Sequence, residues 1–260
     1  MKLYHRQFSD ELNQPFSSGP TTTVLIASTP RCGSHMLGHA MASTGLLGVP
    51  FEYTNPANLA EWKRRLETTS PQATLQALMT RRTTANGVFA IKAHYSHCES
   101  LDGPERFLDF WPNLKVVHLC RVDVLRQAIS YAVAKQTGVW ISGQEAEQEK
   151  AEYDPQLIAE CLDDIAVQNA RWASAFAAAG ITPLSVRYED ATEDLQAVVT
   201  KVARHVGAIG ADEVTTVTTT TTRQGHSRRT EDWISRYAAR RRQTGWQALG
   251  SRVTARLARS

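Results

Sequence analysis

Short apolar, β-rich runs alternate with helix-period stretches along most of the chain. Residues 22–28 read Thr-Thr-Val-Leu-Ile-Ala-Ser and predict a strand, as do 87–93, 114–120 and 182–187. Helical periodicity predicts helices near 34–44, with Gly45 as the stop, then near 56–67, 71–83, 123–136, 154–179 and 191–206. Asn55-Pro56, Ser70-Pro71 and Asp154-Pro155 each combine an N-cap side chain with a proline at the first helical position. Strands alternating with helices predict an α/β fold whose parallel sheet is covered on both faces. Residues 1–20 read as a polar arm ending in Ser17-Ser18-Gly19-Pro20, and 21–260 as one domain. The stretch 143–153 is acidic and apolar-poor and predicts a loop. The run 214–222 holds seven Thr and suits either a strand or an extended loop. Two Arg-rich helices are expected near 230–243 and 246–258.

Composition narrows the class. With 260 residues, 42% hydrophobic and 21% charged, the chain can bury a core of its own. No run of 18 apolar residues exists to span a bilayer as a helix. The N-terminus lacks the apolar centre of a secretory signal, and the four cysteines, Cys32, Cys98, Cys120 and Cys161, form no Cys-x-x-Cys pair. A cytoplasmic protein without a zinc ribbon or disulfide framework is therefore expected. The net charge of +3 is unevenly placed. From Arg223 onward there are ten Arg against Glu231 and Asp232, a net of +8, while the first 222 residues are net −5. That asymmetry points to an anionic partner near the C-terminal end.

The first strand runs into Thr29-Pro30-Arg31-Cys32-Gly33-Ser34-His35 and then a helix. Ligands of open α/β sheets bind beyond the carboxyl ends of strands. There the uncapped amides of a helix start attract an anion, and Arg31 adds a full charge. A Walker A loop would need a second Gly and a following Lys, which are absent. A tyrosine-phosphatase loop would need Arg six residues after Cys32, where Gly38 stands. A second segment places Arg121 at the end of the third strand and Ser130 about two turns along the next helix, a fork of donors and a hydroxyl suited to one phosphate.

Together these stretches resemble sulfotransferases that use 3′-phosphoadenosine 5′-phosphosulfate (PAPS). The loop resembles their 5′-phosphosulfate loop, with Cys32 standing for Ser and His35 for Thr. The Arg121–Ser130 pair resembles their 3′-phosphate site. The longer string Arg126-Gln127-Ala-Ile-Ser130, with Gln136-Thr137-Gly138-Val-Trp140, is similar to the bacterial trehalose 2-sulfotransferase and lipopolysaccharide-sulfotransferase family. So are Gly48-Val-Pro-Phe51-Glu52-Tyr53, Arg223-Gln224 and Glu231-Asp232-Trp233.

The resemblance implies a P-loop-like three-layer α/β domain with a central parallel sheet. It implies in-line transfer of a sulfuryl group from PAPS to an acceptor hydroxyl, of a carbohydrate, glycoconjugate or natural product, without a metal. Cys32, Gly33, Ser34 and His35 would hold the 5′-phosphate, and Arg31 would neutralise the leaving oxygen. Arg121, Ser130, Arg223 and Arg228 would hold the 3′-phosphate. Glu52 would be the general base, with His94 and His97 as rivals. Tyr53, His94 and Trp140 would border the acceptor. A homodimer is implied, and no nucleic-acid partner. Two other classes stay open on the residues alone: a metal-dependent P-loop small-molecule kinase, and a nucleic-acid-binding module using the basic end.

Overall fold

A computed structural model describes residues 4–14, 19–141, 150–208, 214 and 228–240. In chain order the elements are β1 (Thr22–Ser28), α1 (Ser34–Ser43), α2 (Pro56–Arg65), α3 (Pro71–Arg82), β2 (Val88–His94), α4 (Pro104–Asp109) and β3 (Leu114–Cys120). They continue with α5 (Val124–Thr137), α6 (Pro155–Ala178), β4 (Leu184–Arg187), α7 (Tyr188–Glu193) and α8 (Leu195–Val206), and a further helix covers 228–240. The strands form one parallel sheet in the order β2-β1-β3-β4.

Alternation along each strand divides the core into two layers. Leu25, Ala27, Phe89, Ile91 and Val116 face α2, α3, α4 and α6 through Trp62, Leu75, Leu78, Phe107, Trp172 and Phe176. Val24, Ile26, Val88, Ala90, Val117 and Leu119 face α1 and α8 through Leu37, Met41, Val199 and Val202. The expected three-layer α/β arrangement is therefore present. A third apolar cluster joins α5, α6 and the helix over 228–240, with Trp233 and Tyr237 buried in it.

Local capping explains most helix starts. Asn55 Oδ1 accepts from Ala57 N at 3.1 Å, Ser70 Oγ from Ala73 N at 3.1 Å, and Asp154 Oδ1 from Gln156 N at 2.9 Å. The expected helix over 191–206 is instead two helices, because Asp194 leaves the helical conformation at φ −141 and caps α8 at Ala197 N. Strand β4 is shorter than expected, since Pro183 has no N–H for the ladder. The 3₁₀ turn Tyr95–Leu101 and α4 were not anticipated.

Residues 4–14 form two short 3₁₀ helices, His5–Phe8 and Asp10–Leu12. Phe8 is buried against Trp62, and the buried Arg82 donates to the carbonyls of Gln7 and Ser9 at 3.1 and 3.0 Å. The run 215–222, the loop 142–149 and the last expected helix lie outside the described residues.

Candidate active site

The loop after β1 carries two residues in the left-handed region, Arg31 at φ +63 and Gly33 at φ +91. Gly33 is required twice over. Its φ disfavours any side chain, and a Cβ there would lie 2.3 Å from Cδ2 of Tyr188. As N-cap it also offers no side chain to the amides that open α1. Cys32 is fully buried, burial pushes its thiol pKa up, and its N–H goes to Thr29 O at 3.4 Å. Ser34 is buried at the first turn of α1.

From the neighbouring strand end, α5 reaches over this loop. Gln127, fully buried, donates both amide hydrogens to it, to Thr29 Oγ1 at 2.9 Å and Pro30 O at 2.7 Å. Arg31 Nε donates to Ser130 Oγ at 3.1 Å, and Arg31 Nη1 donates to Trp140 O. Residues singled out in two separate stretches of sequence therefore meet. Arg121 joins them, its guanidinium carbon 4.6 Å from the centroid of Tyr188. Its Nε is buried without a hydrogen-bond partner among the described residues. Burial, then the neighbouring charge of Arg121, lowers the pKa of Arg31. Two crowded guanidinium groups, an orphaned donor and a helix start without a side-chain cap fit an anion such as a nucleotide phosphate.

Sequence reasoning missed three residues here. Tyr188 covers both Gly33 and Arg121, and Glu189 accepts from Val122 N at 3.1 Å and Asp123 N at 3.3 Å. Both follow the fourth strand directly, which was the available signal. Gln127 stood inside the quoted motif without a role.

Glu52 lies across β1 from Arg31's side of the site. Phe51 pairs with Ile91 as an isolated parallel bridge, and Lys92 N donates to Phe51 O at 3.0 Å. Gly48 permits that approach, since a Cβ there would come within 2.5 Å of Ala90 N. The bridge sets Glu52 beside β2. Its Oε1 lies 3.0 Å from Lys92 Nζ and 3.6 Å from His94 Nε2, and its Oε2 accepts from Asn55 Nδ2 at 3.4 Å. Burial alone would raise the Glu52 pKa, but Lys92, with smaller help from His94 and His97, holds the carboxyl well below its usual range. Glu52 is therefore ionised at neutral pH.

The other expected site residues divide clearly. His94 is at the strand end with its ring 5.0 Å from that of His97. His97 is buried, its Nδ1 accepts from His94 N at 3.2 Å, and burial pushes its pKa down to about 3. Its Nε2 lies 3.5 Å from Asn55 Nδ2, so both ring nitrogens of His97 face protein groups and neither is open to an acceptor hydroxyl. His35 packs against Tyr4, and its Nε2 pairs with His39 Nε2 at 2.9 Å. That nitrogen is thus not turned to the loop as expected. Burial pushes the pKa values of His35 and His39 down to about 2 and about 4.

Tyr53 is a correction. It is fully buried between Phe89 and Trp62 and donates to Val49 O at 2.6 Å, so it belongs to the core and not to an acceptor pocket. Trp140 stands edge-on to Tyr131 with its carbonyl on Arg31. Arg228 is exposed at the start of the helix over 228–240, and Arg223 lies outside the described residues. Among the described residues, no helix is long and apolar enough to cross a membrane.

Residues 23–240 match the sequence model of a family described as Stf0 sulphotransferase. A protein of Mycobacterium tuberculosis named trehalose 2-sulfotransferase is 28% identical over 254 residues, covering 83% of this chain and 94% of its own. A protein of the same name from Mycolicibacterium smegmatis is 26% identical, covering 85% and 96%. The crystal structure of a sulfotransferase from Alicyclobacillus acidocaldarius is similar at 14% identity and a TM-score of 0.49, covering 85% and 92%.

Proposed function

The chain belongs to the Stf0 sulphotransferase family, and from that premise we propose that it moves the sulfuryl group of PAPS to a hydroxyl of a carbohydrate or glycoconjugate. The observation that carries the donor reading is the meeting of Arg31, Ser130 and Arg121 around the start of α1. The sugar reading is supported by the names of the two mycobacterial relatives.

When bound, the donor supplies a sulfuryl group on an activated S–O bond. The chain's own groups do the rest. The first amides of α1 and the Arg31 guanidinium hold the 5′ end and neutralise charge on the leaving oxygen. Arg121 and Ser130 hold the 3′-phosphate, with Arg228 and Arg223 as further donors to it. Gln127 keeps the loop seated. Glu52 takes the acceptor's proton, and Lys92 keeps that carboxylate ionised while reaching toward the sulfuryl oxygens. His94 is the second candidate for the base, and Trp140 borders the acceptor. Holding donor and acceptor in line supplies much of the rate. A homodimer acting in the cytoplasm completes the reading, to be checked by light scattering and cell fractionation.

The test is incubation with labelled PAPS and a panel of hydroxyl acceptors that includes trehalose. Calorimetry with adenosine 3′,5′-bisphosphate is run with and without Mg²⁺. Tight metal-independent binding, lost in Arg121→Ala, is expected. Binding that requires Mg²⁺ would instead support a kinase.

A further inference from the structure

Ser28 ends β1, is fully buried, and pairs in register with His94 of β2. Its carbonyl accepts from Trp172 Nε1 at 3.1 Å, which ties the residue to α6 as well. A serine hydroxyl has one proton. That proton goes to the Ala93 carbonyl at 3.2 Å, so the oxygen presents a lone pair to His94 Nδ1 at 3.1 Å. Nδ1 must then carry a hydrogen. Burial lowers the pKa of His94, which is therefore neutral, and a neutral imidazole has only one N–H. Its Nε2 is left as a bare lone pair, 3.6 Å from Glu52 Oε1. Two acceptor atoms thus face each other without a proton between them. The site is open enough to admit one, since the side chains of His94 and Glu52 keep 14% and 22% of their surface exposed.

We propose that Ser28 is a positioning residue for the transfer reaction: it holds His94 in the Nδ1–H tautomer, so that the acceptor's proton is received in the gap between His94 Nε2 and Glu52 Oε1. The opposite tautomer would point an N–H at Oε1 and occupy the base. In the step itself, the acceptor O–H bond breaks and the oxygen's electron pair forms the new O–S bond. The S–O bond to the nucleotide phosphate breaks and leaves its pair on that phosphate oxygen. The proton ends between Nε2 and Oε1. The other groups around this pair are Lys92 on Oε1, the His97 ring, Asp164 from α6, and the buried Cys32 thiol near Ser28. The Ser28 carbonyl and the His97 amide also approach the His94 ring, so the Ser28 hydroxyl shares that side of the imidazole with two backbone groups.

The proposal rests on the proton transfer described above, but its first test does not use turnover. Nitrogen NMR of the intact protein, with the His94 signals assigned through His94→Gln, reads the tautomer directly. Nδ1 protonated and Nε2 bare is expected; the reverse overturns the proposal. The second test is kinetic. Ser28→Ala is expected to lower kcat by about tenfold, the scale of one lost hydrogen bond, with the KM for PAPS unchanged. In the His94→Gln background, Ser28→Ala is expected to cost nothing further. An equal loss in both backgrounds means a packing role alone, and refutes the proposal. If no acceptor in the panel is sulfated while the NMR gives the expected tautomer, it is the functional reading that fails and not the geometry.

Discussion

Removing the ammonium beside Glu52 gives a sharp test of the site's electrostatics. Lys92 is buried, and its Nζ lies 3.0 Å from Glu52 Oε1. At an effective dielectric of about 20, the attraction at this distance is roughly 5 kcal/mol. Removing one partner of a buried pair typically costs about 3–5 kcal/mol, because the other charge is stranded. Glu52 is 22% exposed, so the lower end of that range applies. In Lys92→Met, about 3 kcal/mol at neutral pH corresponds to a fall in Tm of roughly 6–12 °C for a chain of this size.

The sign with pH follows from linkage. In the native protein the Glu52 pKa is depressed below its ordinary 4.5, so its contribution is present above that value and is lost only as pH falls through the lower folded value. In Lys92→Met, burial becomes the dominant influence and raises the Glu52 pKa above 4.5. The stranded carboxylate then destabilises at neutral pH, and protonation relieves it as pH falls. Thermal melts from pH 8 to pH 5 are therefore expected to show a gap between native and variant that narrows toward acid. The double variant Lys92→Met, Glu52→Gln removes the stranded charge and is expected to melt above Lys92→Met at pH 8. A gap that does not change with pH, together with no recovery in the double variant, would refute the reasoning.

Two other substitutions probe the two halves of the site. Glu52→Gln is expected to keep adenosine 3′,5′-bisphosphate binding in calorimetry and to lose turnover by about 10²-fold or more; normal turnover would remove Glu52 from the proton transfer. Gly33→Ala places a Cβ against Tyr188 at a positive φ, so stability is expected to fall by about 1–3 kcal/mol with weaker nucleotide binding, read by melts and calorimetry. Gly33→Ala in a Tyr188→Ala background is expected to recover only the part due to the ring, since the backbone strain stays.

The strand–loop–helix units were legible because their causes are local. Alternation in 22–28 and 114–120, the caps at Asn55, Ser70 and Asp154, and the lone Gly33 before α1 all act within a few residues. The anion loop followed from the same local rules, whereas the Arg121–Ser130 pair stood out through its resemblance to a known family. Two local signals run against simple periodicity: Asp194 falls inside the periodic stretch 191–206 yet caps α8, and Tyr188-Glu189 directly follow a strand end and close on the site.

Which distant residues share a space is set by how the elements pack, and no local rule contains it. Glu52 and Tyr53 are adjacent where the chain leaves the Phe51 bridge for a turn closed by Asn55 N on Glu52 O at 3.1 Å, and their side chains part there. Sequence cannot say which side faces the site. The Phe51–Ile91 bridge decides it, turning Glu52 to Lys92 and His94 and Tyr53 into the core. Likewise Arg31 reaches Ser130 across 99 residues, and Gly33 must be glycine because the ring of Tyr188 arrives from another strand. Short-range sterics and hydrogen bonding make most of the elements, and the residue types at their ends, readable from the chain alone. The packing of the parallel sheet, with its long crossover connections, determined which of those ends meet, and so which charges are paired, which are crowded and which proton positions are allowed.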